Sequence, residues 1–471
     1  MGIMFYSLGA AQEVTGSKHV LEINGVPLLV DCGAFQGTRS EADRKNREFA
    51  IPAEKLSAVV LTHAHYDHCG LLPLLVKKGF KQNIFATSAT RDLANLIMMD
   101  SARIQKRDAE YLEKQAKKRG ESFNWRPLFD ESDVVKTMNQ FVSISYNRKL
   151  FAAPNVEIEF FDAGHILGSA LTNIRITGEE KGDVNVLFSG DLGRVGKPII
   201  RNPDTALPPP DYIVLESTYG NRIHDHSDAV LDELAFIVHR CVEKKGKIII
   251  PAFAVERTQE LIYYFNLLTM QHRIPPIPIY VDSPMATNAT TIFQIHPECY
   301  DDQTKDTFLN QSKNPFGFGS LNFVMNVEES KALNKKEGPM IIISADGMCE
   351  FGRVVHHLAN GIENPDNTVM IVGYMAENTL GRRLINRESE VKIMGEWKKV
   401  KAAVEIMTAF SAHADYAETL AWLKALDTGR LKRIFLVHGE TEAQENLQHI
   451  LMQNFFHDVE IVRYGATYTL H

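Results

Sequence analysis

Residues 63–68 read His-Ala-His-Tyr-Asp-His and follow directly on the apolar, β-branched run 57–62. Packing has no use for three imidazoles and a carboxylate in six positions, whereas neutral imidazole and carboxylate are the donors that hold a divalent cation such as zinc. Further ligand-type residues sit in the same way just past apolar runs. Asp31 follows 27–30, His165 follows 158–161, Asp191 follows 186–188, Glu216 follows 212–215 and His438 follows 434–437. A strand end on a rigid sheet aims a polar side chain with small positional error. Singly, each is an acceptable turn residue; together they point to one polar site assembled from strand ends.

These positions need a scaffold. Over roughly the first 200 residues, apolar runs alternate with turns and occasional helices, as in an α/β sandwich. The stretches 25–31, 157–162 and 184–189 read as strands. Residues 101–120 read as a charged helix with Arg103, Lys106, Arg107, Lys114, Lys117, Lys118 and Arg119, interleaved with Asp108, Glu110 and Glu113. A solvated face is its plain reading and a wall that touches a polyanion the sharper one. Pro203 and Pro208 to Pro210 mark a linker. Beyond it, near-continuous apolar runs at 247–250, 277–281, 340–344 and 369–372, with a helix at 258–270, indicate a second α/β region whose parallel sheet is buried on both faces. From about residue 389 strands and helices alternate to His471.

The chain has 471 residues, long for one core, with hydrophobic and charged contents of 44% and 23% that suit a soluble globular protein. No apolar stretch approaches the ~18 residues of a membrane span, and the first residues lack the basic and apolar regions of a secretory signal. Five scattered cysteines (Cys32, Cys69, Cys241, Cys299, Cys349) then suggest reduced thiols in a cytoplasmic protein. A net charge of −8 argues against a diffuse nucleic-acid-coating surface, yet leaves room for positive charge concentrated at one place.

The motif HAHYDH, the histidine of GHILGSA at 164–170 and the aspartate of SGDLG at 189–193 resemble the metal-site motifs of the metallo-β-lactamase superfamily. ESTYG at 216–220, FSAHAD at 410–415 and LVHGE at 436–440 resemble the additional motifs of its β-CASP branch of nucleic-acid-processing nucleases. PAFAVERTQEL at 251–261 and YVDSPMA at 280–286 are similar to the body of the β-CASP domain. The resemblance implies an α/β protein with the four-layer αββα metallo-β-lactamase fold and an inserted α/β β-CASP domain. It divides the chain into 1–208, 209–388 and 389–471, the last segment completing the first domain.

It further implies two zinc ions per chain, with manganese as an alternative because Asp67 and Asp191 are hard oxygen donors. One ion would be held by His63, His65, His165 and Asp191, the other by Asp67, His68, His438 and the shared Asp191, with Asp31 orienting a ligand histidine. The implied reaction is hydrolysis of RNA phosphodiesters: a hydroxide between the metals, with Asp67 part of the catalytic centre, attacks phosphorus in line. His413 would protonate the leaving oxygen and Glu216 would keep it protonated and oriented. His438 leans the reading to RNA over DNA. FSAHAD, unlike the glycine-containing loop typical of ribonuclease J, leans it to endonucleolytic cleavage, as in the pre-mRNA cleavage endonuclease and its bacterial relatives. A homodimer is in keeping with the family.

Arg353, Thr379, Arg382 and Ser411 are the expected RNA contacts. Four residues depart from the family pattern near them: Phe351 and Glu256 stand where glycines are usual, Met375 where a glutamine is, and Asn378 at another glycine. Phe351 could stack on a base or fill a local gap. His224, His226, His356 and His357 are not read as ligands. A small-molecule hydrolase and a catalytically silent RNA scaffold are the rival readings. Glu216, His413 and the large insertion speak against the first, and the full set of seven ligands against the second.

Overall fold

In Val184–Phe188 the side chains of Val186 and Phe188 enter one apolar cluster and Leu187 another, so the strand is buried on both faces. The neighbouring strands repeat this: Val214 against Ile213 and Leu215, and Phe435 and Val437 against Ile434 and Leu436. Period-two alternation with no polar face belongs to a sheet covered on both sides. The computed structural model describes residues 2–178, 182–224, 229–373, 375–376, 378–407 and 410–471.

The chain divides into two compact units, one running to Ile223 and resuming at Ala412–His471, the other His224–Ser411. Among the described residues the first unit holds two seven-stranded sheets. One is ordered Thr467–Leu470, Ile3–Ser7, His19–Ile23, Val26–Val30, Val59–Val60, Ile84–Ala86, Phe141–Ser143. The other is ordered Val459–Ile461, Arg433–Val437, Tyr212–Glu216, Val184–Phe188, Ala170–Ile176, Val156–Asp162, Lys149–Ala153. They share a core in which Phe5, Leu21, Val30, Val60 and Phe85 meet Ile158, Phe160, Val186, Phe188 and Phe435. The outer face of the second sheet is covered by helices Tyr416–Ala425 and Thr441–Gln453 through Trp422, Leu423, Leu447 and Leu451. Leu29, Val59 and Ile84 of the first sheet are buried, as are Leu72, Leu75, Leu93 and Met98 on helices Leu72–Lys77 and Ser88–Arg119. The fold is the expected four-layer αββα sandwich.

The second unit has a six-stranded, all-parallel sheet in the order Leu321–Phe323, Ile279–Val281, Met340–Ser344, Lys247–Pro251, Thr368–Val372, Ala403–Met407. Its core on one side gathers Ile249, Val354, Leu358, Val369, Ile371 and Leu384.

The unit boundaries differ from the expected 208/209 and 388/389 because strand pairing decides them. Tyr212–Glu216 pairs in parallel with both Val184–Phe188 and Arg433–Val437, which keeps it in the first unit. Ala403–Met407 pairs in parallel with Thr368–Val372, which keeps it in the second. The prolines at 203 and 208–210 therefore lie in a loop inside the first unit, where Pro209 O accepts a hydrogen bond from Asn185 Nδ2. The charged helix begins at Ser88, not 101, because its first half is the buried half, with Ala89, Leu93, Ala94, Ile97 and Met98. It stops at Gly120, whose φ of 70° closes the last turn. The strand expected from 277 starts at Ile279, after the proline that has no N–H to give.

Candidate metal centre

Strand ends build the site as the sequence suggested, and two of them do so with backbone in the left-handed region. Asp31 has φ 63° and His438 φ 51°, uncommon for residues with a Cβ and tolerated where packing dictates it. Asp31 turns its carboxylate under the HAHYDH segment, where Thr62 N (2.8 Å), Thr62 Oγ1 (2.9 Å) and His68 Nδ1 (2.7 Å) all donate to it. The chain can pass this closely beneath the histidines because residue 33 is glycine: a Cβ there would lie 1.5 Å from Asp67 O.

Four of the five clustered histidines have their Nδ1–H directed to an acceptor. His63 Nδ1 donates to Thr62 Oγ1 (3.1 Å), His68 to Asp31, His438 to Thr218 Oγ1 (3.0 Å) and His165 to Ala412 O (3.4 Å). These assignments follow from the network, since Thr62 Oγ1 gives its own proton to Asp31 and Thr218 Oγ1 gives its own to His438 O (3.1 Å). Each of the four rings then presents the lone pair of Nε2, the arrangement that partners of metal-bound histidines impose.

Those lone pairs converge. His65 Nδ1 lies 3.0 Å from His63 Nε2 and 3.1 Å from His165 Nε2, and His68 Nε2 lies 3.3 Å from His438 Nε2. Asp67 Oδ2 is 3.4 Å from His438 Nε2. Asp191 stands between the two groups: Oδ2 is 3.4 Å from His63 Nε2 and 3.5 Å from His165 Nε2, whereas Oδ1 is 3.2 Å from His68 Nε2. Buried Oδ1 has no hydrogen bond among the described residues. Four Nε2 lone pairs turned inward beside the unbonded Asp191 Oδ1 form a donor set suited to cations, in whose absence His65 Nδ1 and the Ser17 hydroxyl (3.3 Å from His68 Nε2) are the protons within reach. The cluster is able to bind metal as two groups, His63, His65, His165 and Asp191, and Asp67, His68 and His438.

Burial pushes the His63 imidazole down to about 3 and the His65 imidazole to about 4, and drives His165 well below its usual range. All three are therefore the neutral, metal-binding form at physiological pH. Burial would raise Asp67, but the neighbouring imidazoles of His438 and His68 outweigh it and hold the carboxyl low.

His413 adjoins this cluster and, with Glu216 and the shared Asp191, forms a further group of ligand-type atoms. Its backbone bridges to Gly193, just past Asp191, and Ala414 N donates to Leu192 O (2.8 Å). His413 Nδ1 lies 3.1 and 3.2 Å from the two oxygens of Glu216, and 3.9 Å from Asp191 Oδ2. Glu216 also accepts from Leu192 N (2.6 Å) and Thr218 N (3.3 Å), so both its oxygens are anchored by backbone. Burial works against protonation of His413, but the Glu216 carboxylate prevails and pushes its pKa up to about 9. The helix beyond is capped by Asp415, through Ala417 N and Glu418 N, so His413 has no capping duty.

The sequence reading missed Thr62 and Thr218, which fix the tautomers of His63 and His438, and Tyr219, whose ring packs edge-on against His413 at 5.8 Å. The signal for the last two was their place in the ESTYG motif. The four expected RNA contacts all belong to the second unit. Arg353 donates to Asp282 Oδ1 (2.6 Å), Val324 O (3.0 Å) and Met325 O (2.7 Å), which makes it an internal clamp. Thr379 caps the short helix Leu380–Ile385, which contains Arg382. Ser411 is half-buried, with no hydrogen bond to Oγ among the described residues. Phe351 is 75% exposed and fills no gap. Of the remaining histidines, His357 is buried against Asp282 (2.6 Å), His224 is a loop residue opening the second unit, and His226 lies outside the described residues.

Two facing sheets between helices, with histidines and aspartates gathered at their strand ends, define a metallohydrolase. The chain matches the Metallo-beta-lactamase superfamily over residues 16–223, the Beta-Casp domain over 258–384 and the Zn-dependent metallo-hydrolase RNA specificity domain over 397–462. It is 35% identical to "Ribonuclease TTHA0252" of Thermus thermophilus, over 97% of both chains. It is 30% identical to "Transcription termination factor FttA" of Methanosarcina mazei, over 93% of this chain and 67% of that one. It is also 26% identical to "Endoribonuclease YSH1" of Candida glabrata, over 96% of this chain and 56% of the relative. The protein belongs to the metallo-β-lactamase superfamily, in its β-CASP family.

Proposed function

We propose that this chain is a zinc-dependent endoribonuclease that holds two zinc ions, one on His63, His65, His165 and Asp191 and the other on Asp67, His68, His438 and Asp191. The observation that carries the reading is the His413–Glu216 pair set against Asp191, a proton donor and its carboxylate beside a cation site. A leaving alkoxide needs a proton, and this pair is a donor held where one is called for. The names of the Thermus and Candida relatives, a ribonuclease and an endoribonuclease, support RNA as substrate.

When bound, the zinc ions supply the Lewis-acid charge that activates water and stabilises phosphate oxygens. The side chains do the rest. Asp191 and Asp67 would lower the charge of the centre enough for product to leave while a net positive charge still attracts the phosphodiester. Glu216 accepts the Nδ1–H of His413 and fixes the ring, so that Nε2 carries the mobile proton. As the P–O bond to the leaving ribose oxygen breaks, that oxygen takes the Nε2 proton, and the neutral imidazole regains one from solvent, to which the side chain is 20% exposed.

Manganese is expected to substitute in part, since two ligands are carboxylates. A cytoplasmic setting and a homodimer belong to the same reading; among the described residues no helix is long and apolar enough to cross a membrane. The test is cleavage of a circular RNA and a 5′-labelled linear RNA by the parent, Asp67→Ala and His413→Ala proteins. Cutting of the circle by the parent and by neither variant supports the reading. Shortening of linear RNA alone replaces it with an exonuclease, and inactivity of all three overturns it.

A further inference from the structure

Helix Ser88–Arg119 starts beneath the metal loops and leaves them. Its N-cap Thr87 Oγ1 and Thr90 Oγ1 both donate to Gly168 O (2.7 Å each), in the loop that carries His165. Thirteen residues in, Ser101 Oγ donates to the hydroxyl of Tyr66 (3.0 Å), within HAHYDH. From there the helix runs on to Arg119, and at 1.5 Å per residue Lys118 lies about 25 Å beyond Ser101.

The two sides of this distal half differ. Gln105, Asp108, Ala109, Leu112, Gln115 and Ala116 form the half-buried side, and Gln105 Oε1 accepts from Leu128 N (2.8 Å) of the returning chain. The opposite side is exposed and bears Arg103, Lys106, Arg107, Lys114, Lys117 and Lys118 against Glu110 and Glu113. At about 100° per residue, Arg107, Tyr111, Lys114 and Lys118 fall within about 40° of one line. Tyr111 is 60% exposed on that line. The ion pairs of the region are Arg103–Glu131 (2.8 Å), Arg39–Asp108 (3.0 Å) and Arg119–Glu121 (4.0 Å). Arg107, Lys114 and Lys118 join no ion pair among the described residues.

In a chain of net charge −8 this face lines up three cations outside any close ion pair, Arg107 tempered only by half-buried Asp100, with an exposed aromatic ring among them. A single-stranded polyanion with stacking bases is the partner that uses both. We infer that the face formed by Arg107, Tyr111, Lys114 and Lys118 is a docking rail for single-stranded RNA flanking the scissile bond, on the helix whose other side meets HAHYDH through Ser101 and Tyr66. This rests on the nuclease reading above. The three cations take backbone phosphates and Tyr111 stacks on a base, so the rail reads length and strandedness, not sequence.

The test compares 4-nucleotide and 20-nucleotide single-stranded RNAs with zinc-loaded parent protein and the triple variant Arg107→Ser, Lys114→Ser, Lys118→Ser. The expected result is a KM for the 20-mer raised about tenfold at roughly 0.1 M salt, with kcat retained. Without these three partners for phosphate, the salt slope should be shallower by about 2. The KM ratio between the two RNAs should collapse, because the short one cannot reach across the distance of about 25 Å to Lys118. Tyr111→Ala should weaken the 20-mer several-fold at unchanged salt slope, and Arg107→Lys, which keeps the charge, should leave the 20-mer KM near the parent value. An unchanged 20-mer KM, or an equal loss on both RNAs, overturns the rail while leaving the nuclease intact. Failure of the parent to bind or cut either RNA overturns the nuclease reading and the rail with it.

Discussion

Asp31 Oδ2 and His68 Nδ1, 37 residues apart in sequence, are joined by a 2.7 Å hydrogen bond in the floor of the metal cluster. That bond sets the His68 tautomer and leaves Nε2 directed at Asp191 and His438. Second-sphere partners of this kind are worth about 10–100-fold in metal affinity. Asp31→Ala is therefore expected to lose one of two zinc ions on dialysis against a weak chelator, measured by elemental analysis. Retention of both ions would show that His68 is oriented by packing alone.

Removal of metal should be legible in stability as well as activity. Without a cation the converging nitrogens of His63, His65 and His165 have only one another, and the buried Oδ1 of Asp191 has no hydrogen bond among the described residues. Ligand that binds only the folded chain stabilises it by about 2.7 kcal/mol at a hundredfold excess over Kd. Chelated protein should melt several degrees lower than zinc-loaded protein in calorimetry, and zinc should restore the difference. Equal melting temperatures would argue that the cluster does not hold metal.

His413→Ala should lower kcat by about 10²–10⁴, the range for loss of a positioned acid, with zinc content unchanged. With His413 as the proposed acid its active form is protonated, and with a pKa raised to about 9 activity should persist below that value and fall as pH rises through it. Bound cations displace the limb toward lower pH. Glu216→Gln, which removes the carboxylate that raises the pKa, should displace it further in the same direction. A pH–rate profile whose alkaline limb is identical in the parent and Glu216→Gln would remove His413 from the acid role.

Arg353→Gln tests the internal clamp. Asp282 is buried and would keep His357 and Ser330 but lose its guanidinium partner. Breaking a buried pair costs up to about 3–5 kcal/mol, and the two remaining hydrogen bonds place the expected loss at or below the lower end. Denaturant unfolding followed by the fluorescence of Trp397, in the second unit, should show it. Turnover per folded molecule should stay near the parent value; a KM for RNA raised tenfold at unchanged stability would return Arg353 to the substrate.

Ligand chemistry is local, and for that reason the metal cluster was legible in the chain. HAHYDH needs no distant residue to declare itself, and Asp31, His165, Asp191, Glu216 and His438 draw attention by standing at the ends of apolar runs, where the structure gathers them into one cluster. The same periodicity specified buried strands and two α/β regions, because a strand buried on both faces has few other ways to be written. Tertiary structure decided what depends on partners far along the chain. Tyr212–Glu216 belongs to the first unit because its backbone pairs with a strand more than two hundred residues later, information absent from its own residues. Arg353 looks the same in sequence whether it meets a phosphate or Asp282, and Thr62 and Thr218 become tautomer-setting residues only once a ring is folded against them. The cations of Ser88–Arg119 read as a mixed charge run until the burial of its other side sorted six of them onto one exposed face.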